Sequence, residues 1–328
     1  MNTAQIKTLF PGTVVTLIAA LSALYLAEHY NAPVMLFALL LGMAMSFLSE
    51  EDNCCPGINF SGKTLLRLGV ALLGLRISFA QVASVGIANL VVVSAGVALT
   101  IMLGIVLAGR FKRSRDFGLL TGGSVAICGA SAAMAIASVL PGHPDREKQV
   151  VFTVLCVTTL STIAMIAYPV IVTQFGLSPQ AAGVFLGGTI HDVAQVVGAG
   201  YSMSEKTGDF ATITKLYRVL MLVPIFLALA AVFSNNSDTG KRGKLPLPVF
   251  ILGFVGCMVI ASMQLLPQGI IDFGLDASKF FLVMAIAALG MKSSPKVLFK
   301  GSAGALALVI IETLFLGALI LLWVLFGN

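Results

Sequence analysis

The sequence predicts an all-α membrane protein that crosses the bilayer many times. Of its 328 residues, 58% are hydrophobic and only 10% are charged, and the mean hydropathy is +1.00. A soluble core could not bury so much apolar surface. Eleven segments also have the roughly 20 mostly apolar residues that a helix needs to cross about 30 Å of hydrocarbon. They cover residues 10–28, 33–49, 62–78, 86–109, 118–140, 150–173, 178–200, 213–233, 247–265, 277–292 and 301–326.

Two short internal resemblances pair the halves of the chain. AAMAIAS (132–138) resembles LVMAIAA (282–288), and LLRLGV (65–70) resembles LYRVLM (216–221). Helices two to six and seven to eleven then form two units of five spans, and the odd number inserts the second unit upside down. A competing match of ALLGLRIS with AALGMKSS predicts no simple symmetry, and it remains open.

The domain organisation follows from the first of these alignments. We predict a single transmembrane domain over residues 1–328 in two inverted repeats. An extra N-terminal helix covers residues 1–32, repeat A covers 33–173 and repeat B covers 178–326. The first helix could be a signal peptide, but its long apolar run lacks a convincing cleavage site.

Positive charge is distributed unevenly between the two sets of loops. Twelve of the twenty lysines and arginines fall on the side of the N-terminus. The opposite loops contain only Arg146, Lys148, Lys206 and Lys215. Because cytoplasmic loops collect positive charge, we predict a cytoplasmic N-terminus and an outside C-terminus in the inner membrane of a bacterium. The net charge of +6 then needs no nucleic-acid partner.

The stretch TGGSVAICGASAAMAIAS (121–138) consists almost wholly of small residues. Small residues let helices pack closely in lipid, which is one explanation. Glycines clustered with hydroxyl and thiol side chains also favour an interrupted helix whose freed backbone groups face a cavity. A half-helix N-terminus there would attract an anion. The predicted substrate-binding residues of this stretch are Thr121, Gly122, Gly123, Ser124, Cys128, Gly129 and Ser131.

The stretch GGTIHDVAQVVGAG (187–200) places polar side chains inside the seventh segment. Ionisable residues within a span are functional candidates because hydrocarbon penalises charge. We predict that His191 and Asp192 take part in proton coupling and that Gln195 contacts substrate. The alternative is a purely structural hydrogen-bond network near a helix end.

Arg67 and Arg218 are related by the predicted repeat, and each lies about one and a half turns inside its span. Arginine binds oxyanions with two parallel hydrogen bonds, so the pair is a candidate site for a doubly charged anion. The alternative is that each side chain simply extends to the headgroups. Glu312, near the middle of the last span, is a further candidate for proton coupling or a partner of one arginine.

Other chemistry finds no support in the sequence. The five cysteines form no CxxC pair and no cluster with histidine, which argues against a zinc site. Walker, GxSxG and HExxH motifs are absent. We therefore expect no catalytic residues, no metal and no cofactor, and the chain is not expected to be an enzyme.

The two glycine-rich stretches, with LGLRIS (73–78), resemble the YeiH-type, UPF0324-like family of bacterial membrane proteins, to which sulfate export is commonly assigned. That family is similar at a distance to the cation/proton antiporters and bile-acid symporters. The resemblance implies two crossing broken helices, a second domain against which they move, and a homodimer. By this analogy the fifth helix crosses the tenth near residues 285–290, and the seventh is the other candidate.

Together these observations predict a secondary-active transporter of a small anion, such as sulfate or an organosulfonate, with alternating access and proton coupling. One alternative is a proton or sodium antiporter with Asp192 as the cation site. Two others are a membrane enzyme that uses His191 and Asp192 as acid and base, and a sensor or scaffold.

Overall fold

The computed structural model describes residues 3–30, 33–233, 249–293 and 303–327, and all regular elements in these ranges are helical. The loop between the predicted eighth and ninth segments, at residues 234–246, lies outside the described residues, as do Lys296 and Lys300, two of the twelve cations on the side of the N-terminus. The α-helices are α1 (Thr3–Tyr30), α2 (Val34–Ala44), α3 (Cys55–Phe60), α4 (Leu66–Leu73), α5 (Phe79–Ser84), α6 (Ile87–Ala108), α7 (Arg115–Ala126), α8 (Ala130–Val139), α9 (Arg146–Gln174), α10 (Pro179–Thr189), α11 (Val193–Met203), α12 (Glu205–Leu220), α13 (Leu222–Phe233), α14 (Val249–Ser262), α15 (Gln268–Lys292) and α16 (Ala303–Phe326).

Long apolar helices confirm the prediction of an all-helical, multi-pass membrane protein. In the described ranges five helices are long and apolar enough to span a bilayer, and shorter apolar helices accompany them. The five are Lys7–Tyr30, Ile87–Phe111, Arg146–Gln174, Glu205–Phe233 and Ala303–Phe326. Several of the other predicted segments contain shorter or interrupted helices, and the count of eleven spans is not confirmed.

The described chain forms two compact units. The first consists of Met1–Ser84, Val197–Asp209 and Val249–Ser294, and the second consists of Val85–Val196, Phe210–Pro248 and Pro295–Asn328. Each unit draws segments from both predicted repeats. The inverted repeats and their boundaries therefore stay a prediction.

In the first unit, α15 is continuous over 25 residues. Its small residues let it pack backbone to backbone against α2. A Cβ added to Gly290 would lie 2.3 Å from Leu39 O, and one added to Gly42 would lie 2.2 Å from Ala287 O. The small-residue run of the predicted tenth helix thus serves close packing, and the expectation that this helix is the broken partner of the fifth is wrong.

In the second unit, α6 and α7 also pack through glycine. A Cβ on Gly118 would lie 2.2 Å from Gly104 O, and one on Gly122 would lie 2.9 Å from Thr100 O. The packing interpretation of the stretch 121–138 therefore holds for its first part.

The helix of that stretch is interrupted a few residues later. Between α7 and α8 the chain leaves helical geometry, and Gly129 adopts φ +60° and ψ −118°. A second interruption separates α10 from α11, where Ile190 is extended at φ −61° and ψ 136°. The predicted break in the fifth segment is confirmed, and the second broken helix is the seventh predicted segment.

Helix α12 begins at Glu205 rather than near residue 213. Its first turns are anchored in the first unit by Arg76, which pairs with Glu205 and whose Nε lies 3.2 Å from Asp209 Oδ1. Lys215 consequently lies within α12 and is fully buried. Its assignment to an outside loop was wrong.

Candidate functional site

Two buried cations of the second unit lie on one face of α12. Lys215 and Arg218 are three residues apart, a spacing that places them on the same side of a helix. Both side chains are 0% exposed. Buried cations must be compensated, so their partners identify the centre of the site.

Lys215 joins the two interrupted helices. Its Nζ donates hydrogen bonds to Ile127 O at 2.8 Å and to Ile190 O at 3.0 Å. Ile127 follows the last residue of α7, and Ile190 follows the last residue of α10. One ammonium group therefore holds the two interruptions side by side.

Arg218 makes a similar connection through four hydrogen bonds. Nε donates to Ala126 O at 2.9 Å and Nη2 donates to Val125 O at 2.9 Å. Nη1 donates to Gly187 O and to Ile190 O, each at 3.2 Å. The guanidinium group thus binds the carboxyl-terminal carbonyls of both α7 and α10.

The chemistry of helix ends explains this arrangement. The last four carbonyls of a helix lack intrahelical partners, and the aligned peptide dipoles make that end equivalent to about −0.5 charge. Two helices that end inside the protein would leave buried acceptors unsatisfied. Lys215 and Arg218 bind several of these acceptors and oppose the dipoles at the same time.

His191 lies beside these carbonyls and is 0% exposed. Nδ1 lies 3.1 Å from Val125 O, and Nε2 lies 3.1 Å from Thr313 Oγ1. A carbonyl oxygen only accepts, so the proton is assigned to Nδ1. The Thr313 hydroxyl either donates to Nε2 or donates to Val309 O, 2.8 Å away. Neutral and protonated imidazole therefore both find partners.

Asp192 caps the start of α11. Its backbone N–H donates to Ser161 Oγ at 3.1 Å, and Ala194 N–H donates to Asp192 Oδ1 at 3.3 Å. The same Ser161 hydroxyl donates to Gln195 Oε1 at 3.3 Å, while Gln195 Nε2 donates to Thr162 Oγ1 at 3.3 Å. The amide of Gln195 thus fixes α11 against α9.

Glu312 is a buried acid on α16. Its Oε1 accepts a hydrogen bond of 2.8 Å from Thr121 Oγ1. Its Oε2 has no hydrogen-bond partner among the described residues. A Cβ on Gly104 would lie 2.5 Å from Oε1, so glycine at that position makes room for the carboxyl group. Thr121 and Glu312 therefore form a pair within the second unit.

The start of α8 differs from that of α11. Its N-cap is Gly129, and no side chain of the described residues caps it. The first backbone N–H groups of a helix need acceptors, and here they belong to Ala130, Ser131 and Ala132. Ser131 is exposed, whereas Cys128 is buried at the interruption. The sequence predicts that these N–H groups bind an anion, and that binding stays a prediction.

Three other residues that the sequence predicts to bind substrate, Gly122, Gly123 and Ser124, contribute to the packing of α7. A Cβ on Gly123 would lie 2.2 Å from Ile136 Cδ1 of α8. The Ser124 hydroxyl donates to Leu120 O within α7 at 2.5 Å. Together with Gly122 against α6, these residues shape the helix, and the interruption itself lies after them.

The two predicted arginines have different surroundings. Arg67 is exposed on α4 in the first unit, whereas Arg218 is buried and bound to backbone carbonyls. A symmetric anion clamp would require equivalent environments for the two arginines, and their environments differ. The alternative explanation, that the side chain extends to the lipid headgroups, does not hold for Arg218, because its guanidinium group binds the carbonyls of helix ends.

Sequence reasoning missed Lys215, Ser161 and Thr313. Ser161 and Thr313 resemble ordinary small polar residues of a span. Lys215 offered a signal, since a lysine three residues before an arginine in an apolar context marks one helix face. Among the described residues, no three His, Cys, Asp or Glu side chains group closely enough to hold a metal ion.

In many secondary transporters, the binding site is formed by discontinuous helices whose broken ends lie together inside the membrane. The fold and the site thus suggest a membrane transporter. The chain belongs to the family described as "Conserved hypothetical protein 698", whose model matches residues 11–309.

Relatives of similar length have names of the same family. The chain is 51% identical to the UPF0324 membrane protein CT0845 of Chlorobaculum tepidum, over 95% of this chain and 88% of the relative. It is 48% identical to the UPF0324 membrane protein TauZ of Paracoccus pantotrophus, over 96% and 94%. No solved structure matches the chain. These relatives support a membrane location.

Proposed function

We propose that this protein is a secondary-active transporter of a small anion, such as sulfate or an organosulfonate, that works by alternating access and is not an enzyme. The proposal places it in the inner membrane of a bacterium, with the N-terminus in the cytoplasm, and allows for a homodimer. The observation that carries it is the uncapped start of α8, which follows an interruption held by two buried cations.

The charges at the interruptions favour an anion. Lys215 and Arg218 bring two positive charges, and the carboxylate of Asp192 brings one negative charge. The N–H groups at the start of α8 add the positive end of a helix dipole. Backbone donors at a half-helix N-terminus recognise oxyanions of several shapes, and this suits sulfate and sulfonate groups alike.

Proton coupling is part of the proposal. His191 has acceptors or donors for both protonation states, and Glu312 and Asp192 are the other residues that we propose take part in proton coupling. A proton taken up at His191 would turn the Thr313 hydroxyl toward Val309 O. Alanine at His191 and Asp192 should therefore remove the pH dependence of transport, and unchanged pH dependence in both variants would contradict this step.

The test is uptake of radiolabelled sulfate into proteoliposomes, with organosulfonates as competitors and empty vesicles as the blank. We expect saturable uptake that at least one of these anions inhibits. Thermal unfolding in detergent with the same anions gives an independent readout, since a ligand of the folded state raises its stability. The proposal would be refuted if no tested anion is taken up and none stabilises the protein.

Asp192→Asn separates the anion transporter from the cation antiporter. Asparagine keeps an oxygen that can cap α11 but removes the charge that a cation would need. Anion uptake should persist in this variant, as it should in the exposed control Asp145→Asn. Loss of transport in Asp192→Asn, together with stabilisation of the wild type by cations alone, would favour the antiporter.

A further inference from the structure

The carbonyl oxygens at the two interruptions form a place for a cation. In transporters with discontinuous helices, carbonyls of unwound segments and of half-helix C-termini commonly coordinate a sodium ion. Here the corresponding oxygens include Ile127 O and Ile190 O, which approach each other closely enough for one ammonium group to bridge them.

We propose that Lys215 supplies this cation from within the chain, so that anion transport proceeds without a sodium ion at the interruptions. Its Nζ lies at ordinary hydrogen-bond distances of 2.8 and 3.0 Å from the two oxygens. The side chain is 0% exposed. Lys215 is then a specificity-determining residue that excludes alkali cations by occupying their ligands. The inference rests on the proposed anion transport.

The neighbouring groups agree with this assignment. Arg218 binds the further carbonyls of Val125, Ala126 and Gly187 and shares Ile190 O with Lys215. Its charge would repel a further cation at the same oxygens. Asp192 Oδ1 accepts from Ala194 N–H, so this oxygen already serves the start of α11.

The first test uses the wild-type protein. Anion uptake into proteoliposomes is compared in sodium, potassium and choline salts at equal ionic strength and pH. We expect the same rate in all three. Uptake that requires sodium overturns the inference but leaves the proposed function intact, whereas no anion uptake in any salt removes the proposed function itself.

The second test removes the resident cation. In Lys215→Ala the bridging oxygens lose their partner, and a small cation should replace it because the cavity is lined by acceptors. Thermal unfolding of this variant should shift upward with sodium or methylammonium but not with choline. A ligand at about 100 times its Kd raises the ratio of folded to unfolded protein about 100-fold.

Two control variants and the wild type make the second test decisive. Lys206→Ala removes an exposed lysine of the same helix and should respond to salts as the wild type does. Lys215→Arg keeps a cation and should show no sodium response. If the wild type is stabilised by sodium over choline, or if Lys215→Ala is as stable as the wild type and indifferent to small cations, the inference is wrong. The wild-type arm decides the matter should Lys215→Ala not fold.

Discussion

The two interrupted helices end in the same way but start again differently. The carbonyls of α7 and α10 share the cations Lys215 and Arg218. Helix α8 then follows Gly129 and has no side-chain cap, whereas α11 follows Asp192, whose carboxylate accepts a backbone N–H. In the function that we propose, the start of α8 is open to an external anion, while the start of α11 is capped by the carboxylate of Asp192. The two breaks therefore differ at the residue that precedes the next helix, and this residue determines whether the first N–H groups of that helix are capped.

The largest loss of stability is expected from replacing Arg218, because the carbonyls of both interruptions bind its guanidinium group. Arg218→Met keeps much of the side-chain volume but leaves the carbonyls of both helix ends without that donor. We expect a loss of about 3–5 kcal/mol in the free energy of unfolding, as for other buried charged networks that lose one partner. Chemical unfolding in detergent measures it, and Arg218→Lys should be intermediate.

The matched control for Arg218→Met is Arg67→Met. Arg67 is exposed on α4, so its replacement should change stability by no more than about 0.5 kcal/mol. Equal losses in the two variants would show that Arg218 does not hold the helix ends together.

A smaller loss is expected from the backbone that only the first interruption uses. Gly129 has φ +60° and ψ −118°, and in Gly129→Ala the added Cβ would lie 3.3 Å from Val157 Cγ1. We expect a cost of about 1–3 kcal/mol from the strained backbone. Gly142→Ala, where an added Cβ meets nothing within 4 Å, should be nearly neutral. A fully stable Gly129→Ala would mean that the interruption can adopt another geometry.

The cap that only the second interruption has should contribute less. Asp192→Ala removes the acceptor of Ala194 N–H, and loss of an N-cap typically costs about 1 kcal/mol. Asp192→Asn retains an oxygen that can cap the helix, so it should lose only about a few tenths of a kcal/mol in the free energy of unfolding. The difference between the two variants in thermal unfolding measures the cap. Similar losses would indicate that the charge of Asp192 matters more than its hydrogen bond.

The smallest effect concerns an acid that precedes a helix outside the apolar spans. Asp145 stands before α9, and the hydrogen bond from Lys148 Nζ at 2.9 Å lowers the pKa of Asp145. Its contribution to stability is present above the ordinary pKa of aspartate and is lost as the pH falls through the lowered value. Lys148→Ala should raise this pKa toward its ordinary range, as a carbon-13 titration of the carboxyl group would show. An unchanged pKa would mean that the contact does not persist in solution.

Sequence patterns identified the break in the fifth segment correctly and named the seventh as one of two candidates for the second break, and both have a physical reason. Glycine at position 129 supplies the positive φ that a side chain disfavours, and the polar residues His191 and Asp192 would be costly in an uninterrupted apolar helix. Both features are local, and local chemistry can be read from one segment.

The failures concern contacts between segments that are distant in the chain. The run near 285–290 has small residues like those of α7, but it packs against α2 and needs no break. Lys215 was predicted to lie in an outside loop, although the pair of Arg76 and Asp209 stabilises the preceding turns of α12. Composition shows that small or charged residues are present, but the partner of each one determines its role.

The use of main-chain oxygens as cation acceptors has a consequence for how the family can vary. Any amino acid provides a carbonyl, so residues 125–127 and 190 remain competent acceptors whatever apolar side chain they carry. Lys215 and Arg218 have no such freedom, because only their own side chains provide the positive charge. Across relatives, evolutionary drift should therefore be tolerated at the helix ends and forbidden on the facing turn of α12.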